Sequence, residues 1–334
     1  MNIARVISWA LQRKPVRAFL LYSEHRGPML ADSITYRTLF SVFAGVLLGF
    51  SLASLWLAGN PAAWQALIDA VDAAIPGLVG DEGLIDPNSI QAPTALTFAT
   101  VISLIGLTGA AIGAIGSLRA ALRTIADKVH DDVFFVWVLL RNLALGIGLG
   151  AALLASAAAT MLTTAGIGWV TDWLGVPADD GLVVFGTRAA SIVIVFLLDA
   201  VIVAVMFRTL SGVKASAGVL WPGALIGAAG LTVLQQLSGL FIGGASSNPL
   251  LASFASLIAL LLWLNLSAQV ILIAAAYIIT GVEEKSDRVH ARFGASTFAQ
   301  RRVRQAERAV QVATEELTNA QADAEKEREN AKSS

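Results

Sequence analysis

The sequence predicts an all-α, polytopic membrane protein with six transmembrane helices and both termini in the cytoplasm. Composition is the first observation, because 56% of the 334 residues are hydrophobic, only 14% are charged, and the mean hydropathy is +0.70. Soluble globular proteins carry about 25% charged residues, so the composition excludes that class. The other two observations are long apolar runs without charge and an uneven distribution of Lys and Arg along the chain.

The longest apolar run, 250–280, contains no charged residue. At about 1.5 Å per residue it would extend roughly 46 Å, against about 30 Å of hydrocarbon. Backbone polar groups must bond internally in lipid, so the run predicts a helix that tilts or begins outside the hydrocarbon. Five earlier runs, at about 38–58, 94–116, 133–163, 183–206 and 217–241, join the run at 250–280 to give six predicted spans.

The spans divide the chain into three predicted parts. Residues 1–30 form a cytoplasmic amphipathic segment, whose first helix, over 1–12, either lies at the membrane interface or packs on the bundle. Residues 31–281 form the transmembrane domain, and 282–334 form a cytoplasmic helical tail that frays at its end. Between the first two spans, a short amphipathic helix on the membrane surface is predicted by the helical spacing of Trp64, Leu67, Ile68 and Val71.

The distribution of Lys and Arg predicts the orientation. Six of these residues precede residue 38, whereas 60–93 contains none and carries five acidic residues. The connections 164–182 and 242–249 also lack Lys and Arg. The second connection, in contrast, carries Arg119, Arg123 and Lys128, and the fourth carries Arg208 and Lys214. Because positive charge is retained in the cytoplasm, both termini are predicted to be cytoplasmic. No cleavable signal peptide is expected, since basic residues and Pro15 interrupt the first apolar segment.

The tail carries a heptad pattern, in which apolar residues alternate four and three positions apart. They are Ala299, Val303, Ala306, Val310, Ala313, Leu317, Ala320 and Ala324. Because most are alanines that bury little area, a coiled coil and a solvated helix both remain open. The predicted partners are membrane lipids and either a second copy or a cytoplasmic protein bound through 296–329. No nucleic-acid partner is predicted.

Glycines recur at helical spacing in several spans. One face of the second span carries Gly106, Gly109, Gly113 and Gly116, and the spacing G-x-x-x-G occurs at Gly146 and Gly150 and at Gly223 and Gly227. Small residues allow close approach of helix backbones, so these faces predict helix packing within the bundle, the alternatives being dimer contacts or sliding surfaces.

Charged residues inside the spans are the candidate functional groups. An isolated charge at the bilayer centre costs about 2.5 kcal/mol or more, so such residues face protein or a cavity. Arg141 and Asp199 lie at similar predicted depths on the cytoplasmic side, which suggests an ion pair. Gln269 and Asn265 of the last span would complete a buried polar patch. Either this patch is a structural salt bridge, or it binds an anionic head group or relays a proton.

A second polar layer is predicted near the outer side from Arg188, Gln235 and Gln236. The alternative is that Arg188 extends its side chain to the interface.

No enzyme is predicted from the motifs. The chain contains no Walker A loop, no H-E-x-x-H and no G-x-S-x-G, and it has no cysteine. The densest acidic cluster is KVHDD at 128–132, but adjacent Asp131 and Asp132 would point apart on a helix, so no metal site is expected there. No cofactor is predicted either.

Three stretches resemble the YihY/BrkB family of inner-membrane envelope integrity proteins, once labelled ribonuclease BN. They are ITYRTLFSVFAG at 34–45, WPGA at 221–224 and LLLWLNLSAQV at 260–270. The chain departs from the family pattern at Ala44, where a proline is usual, and at Ala276, where an acidic residue is common. The resemblance implies a protein of the bacterial cytoplasmic membrane that handles or exports amphipathic lipid or envelope precursors without its own ATPase. The alternative is a non-transporting scaffold that binds partners through its tail.

Overall fold

A computed structural model describes residues 7, 9–57, 59–75, 78, 79, 85, 98–128, 137–148, 151, 181–237, 252–286 and 297–333. Its helices are α1 (Lys14–Glu24), α2 (Gly27–Leu57), α3 (Pro61–Ala74), α4 (Phe98–Ile125), α5 (Trp137–Gly148), α6 (Gly181–Leu210), α7 (Ala217–Gln236), α8 (Ala252–Ser286) and α9 (Phe298–Ser333). Most of the amphipathic helix predicted over 1–12 lies outside the described residues.

The predicted all-α class is confirmed in the part of the chain that the structure describes, which has no strand and only an isolated bridge between Val79 and Ile85. Among the described residues, three stretches are long and apolar enough to cross a membrane: Arg188–Leu210, Ala217–Gln236 and Leu257–Ser286. Helix α5 is apolar but shorter. At the first two predicted spans, α2 has 31 residues and α4 has 28.

Helix α8 packs against α1, α2, α4 and α7. Further contacts join α2 to α4, α4 to α6, and α6 to α7, so the five long helices α2, α4, α6, α7 and α8 form a closed bundle. Smaller contacts join α2 to α1 and to α3. Helices α1 and α9 lie at one end, called the α9 end below. There the last turns of α8 pass α1, where the Lys14 ammonium lies 3.9 Å above the Tyr277 ring. Part of the extra length of the last apolar run is therefore used in contact with α1.

Two apolar layers form the core. The layer at the α9 end joins α1, α2, α4, α6, α7 and α8 and contains the fully buried Leu122, Phe207 and Leu272. The second layer lies at the opposite end, where Leu67 and Val71 of α3 pack with Phe50 and Leu260. Helix α3 is the amphipathic helix expected after the first span, and its apolar face is buried against the bundle.

The glycine face of α7 lies directly against α8. A Cβ atom on Gly227 would lie 3.0 Å from the Cβ of Ala274, and one on Gly230 would lie 2.6 Å from Cγ1 of Val270. The close packing predicted from Gly223 and Gly227 is therefore present. A Cβ added to Gly106, Gly109 or Gly113 would have no described heavy atom within 4 Å, so that glycine face makes no such contact in the described part of the chain. Gly150 lies outside the described residues.

We expect Gly223→Ala to lower the free energy of unfolding by roughly 1–3 kcal/mol. The new methyl group would overlap Ile278 and lie 3.3 Å from the backbone oxygen of Ala274. Gly218→Ala is the matched control on the same helix, because nothing lies within 4 Å of its added Cβ. Thermal unfolding in detergent should show a lower midpoint for the first variant and no decrease for the control. Equal midpoints would contradict the described α7–α8 packing.

Candidate functional site

Two arginines from α4 and α5 lie in one pocket at the α9 end. Near this pocket a Cβ on Gly116 would lie 3.9 Å from Asn142, and a Cβ on Gly146 would lie 3.4 Å from Ile115. These contacts place the two helices side by side at this level. Arg119, three residues after Gly116, lines the same pocket as Arg141 of α5.

The pocket has a volume of about 470 Å³ and is otherwise apolar. Its lining residues are Arg119, Trp137, Val138, Leu140, Arg141 and Ala144. Arg119 is 5% exposed, whereas the Trp137 side chain is largely exposed at the surface of the bundle. Guanidinium groups bind phosphate or carboxylate oxygens through paired N–H donors, and the apolar walls suit a hydrocarbon chain. The pocket therefore has the chemistry to bind an anionic amphiphile.

The structure does not bring Asp199 together with Arg141. The carboxylate of Asp199 instead accepts a hydrogen bond of 3.2 Å from Nε2 of Gln235, across the α6–α7 hairpin. These two residues were assigned to opposite polar layers, so the predicted separation into layers does not hold for them. The other members of the outer layer, Arg188 and Gln236, are exposed. Whether any of these residues binds a ligand stays a prediction.

Asn265 and Gln269 belong to another polar cluster, between α2 and α8. Gln269 donates a hydrogen bond of 2.7 Å to Oδ1 of Asn265. Asn265 in turn donates to Oδ1 of Asp32 at 2.8 Å and to Oγ1 of Thr35 at 3.4 Å. Each of these hydrogen bonds satisfies a polar side chain and so lowers the free-energy cost of placing that side chain between apolar helices. The cluster ends at the exposed carboxylate of Asp32 near the start of α2.

A histidine–aspartate pair joins the α1–α2 turn to the end of α4. Nε2 of His25 lies 2.9 Å from Oδ1 of Asp127, and Nδ1 lies 2.9 Å from the backbone oxygen of Leu21. Both partners are acceptors, so both ring nitrogens are best protonated. Burial by itself would lower the pKa of His25, but the hydrogen bonds to Asp127 and Leu21 outweigh it and raise the pKa above 6.5.

Sequence reasoning missed Arg119, Asp32 and the His25–Asp127 pair. Arg119 was counted with the connection after the second span, because that span was predicted to end at 116. Helix α4 continues to Ile125 and thereby places Arg119 inside the bundle. The apolar residues around it, Leu118, Ala121 and Leu122, were the available signal, since they continue the buried face by another turn and a half. The neighbouring acidic residues Asp131 and Asp132 lie outside the described residues.

Long apolar helices around buried polar side chains define this molecule as a helical integral membrane protein. A family profile described as "Virulence factor BrkB" matches residues 18–295, and the chain belongs to this family. The resemblance in the sequence is thereby confirmed. Searches among curated proteins and among solved structures give no significant match. At the family position where an acid is common, Ala276 is fully buried in the core layer at the α9 end.

Stability should depend on pH through His25. Its folded pKa is raised, so the contribution of the pair is present below about pH 6.5 and is lost as pH rises through the folded value. Asp127→Asn removes the charge, and asparagine tolerates the positive φ of 52° at this position. We expect the difference in thermal midpoint between wild type and this variant to shrink from pH 6 to pH 8.5. Asp69→Asn, on the exposed face of α3, controls for the loss of one acidic charge. Parallel pH curves for wild type and Asp127→Asn would contradict the pairing.

Proposed function

We propose that this BrkB-family protein binds anionic amphipathic lipids or envelope precursors and assists their movement in the bacterial cytoplasmic membrane. Head groups bind in the pocket of Arg119 and Arg141, and the protein has neither an ATPase nor another enzymatic activity of its own. The observation that carries the proposal is the presence of two guanidinium groups in one otherwise apolar pocket.

The proposed topology has six spans with both termini in the cytoplasm. It is supported by α2 and α4, which overlap the first two predicted spans, and by the three long apolar stretches in α6, α7 and α8. The remaining span begins with α5. The α9 end is cytoplasmic in this proposal because Arg123, Arg208 and Lys214 stand beside the helix ends there.

The position of the pocket suits a lipid at the cytoplasmic interface. Arg119 lies six residues before the end of α4, which is about 9 Å along the helix. If the phosphate group of a lipid binds at that depth, the acyl chains of the lipid lie beside Trp137 and Leu140, which are exposed. Aromatic side chains are enriched at this level of the membrane, so Trp137 fits the same arrangement. The clusters at Asp199 and at Asp32 offer further polar positions between the helices.

Loss of both guanidinium groups should weaken binding of an anionic lipid. Charge-assisted hydrogen bonds contribute about 1.5–3 kcal/mol each, so Arg119→Gln with Arg141→Gln should reduce affinity at least tenfold. We would measure retention of phosphatidylglycerol and phosphatidylcholine by mass spectrometry of the purified protein. Movement of fluorescent analogues of both lipids would be measured in liposomes. The wild type should retain and move the anionic lipid preferentially, and the double variant should lose this preference.

Arg208→Gln is the matched control, because Arg208 is an exposed arginine at the same end of the bundle and lies outside the pocket. Equal lipid retention by the wild type and the double variant, with a folded protein in both cases, would reject the pocket as the site. If the wild type neither binds nor moves any lipid class, the lipid-handling function is wrong.

A scaffold function is the second candidate, and the surface of α9 favours it. The same heptad position is occupied in three successive heptads by Val303, Val310 and Leu317, which we call the apolar seam. Each of these side chains is more than half exposed. The opposite, basic face of α9 contacts the rest of the molecule, where Arg301 is buried. The apolar seam therefore remains available to a second copy of the chain or to another cytoplasmic protein.

A single cysteine at Val310→Cys tests the seam and the orientation together, because the chain has no native cysteine. We expect an impermeant thiol reagent to label it only when the cytoplasmic face is accessible. Mild oxidation should link two copies if the seam forms a parallel dimer. Glu315→Cys is exposed on α9 away from the seam, so it should label equally but not cross-link. Labelling from outside would contradict the topology, and the absence of any cross-link, to itself or another protein, would reject the scaffold function.

A further inference from the structure

A second cavity, of about 350 Å³, lies between α1, the last turns of α8 and α9. We call it the α9 cavity. Its lining includes Arg17 of α1, Glu283 of α8, and Arg301, Arg304, Glu307 and Arg308 of α9. Four of these residues are arginines and two are glutamates. The lining therefore carries an excess of positive charge, although the whole chain has a formal net charge of −1.

Ion pairs hold Arg17, Arg301 and Arg308 in place. Glu24 of α1 accepts hydrogen bonds from Arg301 and, at 3.4 Å, from Arg308, which also reaches Glu283 at 3.4 Å. Arg17 is paired with Glu284 of α8. Each guanidinium group has five N–H donors, so one or two carboxylate contacts leave donors for another acceptor.

Arg17 has such a donor. Its side chain is 5% exposed, and its Nε atom has no hydrogen-bond acceptor among the described residues. A buried donor without an acceptor destabilises the fold, and a bound acceptor would remove this cost. The same positive surroundings act on Arg304, where burial first, and then the neighbouring Arg308 and Arg301, lower the pKa. An anion in the cavity would relieve this repulsion.

We propose that the α9 cavity binds a phosphate group, supplied by a soluble phosphorylated compound or by a lipid head group, and that the bound phosphate holds α9 against α1 and α8. Phosphate fits because its oxygens accept paired N–H donors from several arginines at once. Glu307 lies on the cavity wall and opposes the anion, so its charge limits the affinity. This site is separate from the pocket of Arg119 and Arg141, and the inference does not depend on the proposed lipid function.

The experiment follows α9 directly, with a fluorophore on a single cysteine introduced by Glu315→Cys. In nanodiscs of phosphatidylcholine at constant ionic strength, inorganic pyrophosphate should raise the fluorescence anisotropy as α9 becomes less mobile. A parallel series adds phosphatidic acid to the nanodiscs instead. A response to pyrophosphate identifies a soluble phosphate as sufficient, and a response to phosphatidic acid alone identifies the lipid head group.

Three variants on α9 distinguish phosphate binding in the cavity from a general effect of the positive charge of the helix. Arg304→Gln should weaken the response at least tenfold, and Glu307→Gln should strengthen it severalfold. Arg302→Gln is the matched control, since Arg302 is exposed and does not line the cavity, and it should leave the response unchanged. The proposal is overturned if neither probe changes the anisotropy, if Arg302→Gln weakens the response as much as Arg304→Gln, or if Glu307→Gln has no effect.

Discussion

Helix α8 packs against α1, α2, α4 and α7, and its approach to α7 is closer than side chains of ordinary size allow. Gly223, Gly227 and Gly230 present backbone to α8, so Val270, Ala274 and Ile278 pack where Cβ atoms would otherwise stand. In lipid there is little hydrophobic gain from joining two apolar helices, so close van der Waals packing must supply much of the association energy. The other contacts of α8, with α1, α2 and α4, depend on this helix being held in place.

The helices themselves could be predicted because the constraint that produces them is local. A long apolar run must satisfy its own backbone hydrogen bonds in lipid, which leaves a helix as the only choice. Hydropathy does not show where a helix continues beyond the hydrocarbon. Helix α2 begins at Gly27 and α4 ends at Ile125, about ten residues beyond the apolar runs in each case. These extra turns carry Asp32 and Arg119, which is why both residues were missed.

The candidate site was predictable in its residue types but not in its pairings. Arg141 was recognised because a charge in a span needs a polar surrounding. Its neighbour across the pocket is Arg119 and not Asp199, because depth alone does not specify which way a side chain points around the helix axis. Asp199 meets Gln235 because α6 and α7 form a hairpin with a short connection, and this brings their facing residues together. The ion pairs of α9 with Glu24 depend on contacts 277 or more residues apart in sequence, which no local pattern reveals.

Helix α8 links two polar regions in one continuous element, since Asn265 bonds to α2 and Glu284 pairs with Arg17 of α1. Each residue of an α-helix turns the chain by about 100°, so inserting one residue between these two would swing Glu284 away from α1. Inserting seven residues would restore the angle to within about 20° but displace the end of the helix by about 10 Å. The number of residues between Asn265 and Glu284 is therefore fixed, because both side chains must face their partners on α2 and α1. A thicker or thinner bilayer would have to be matched by tilting the whole bundle.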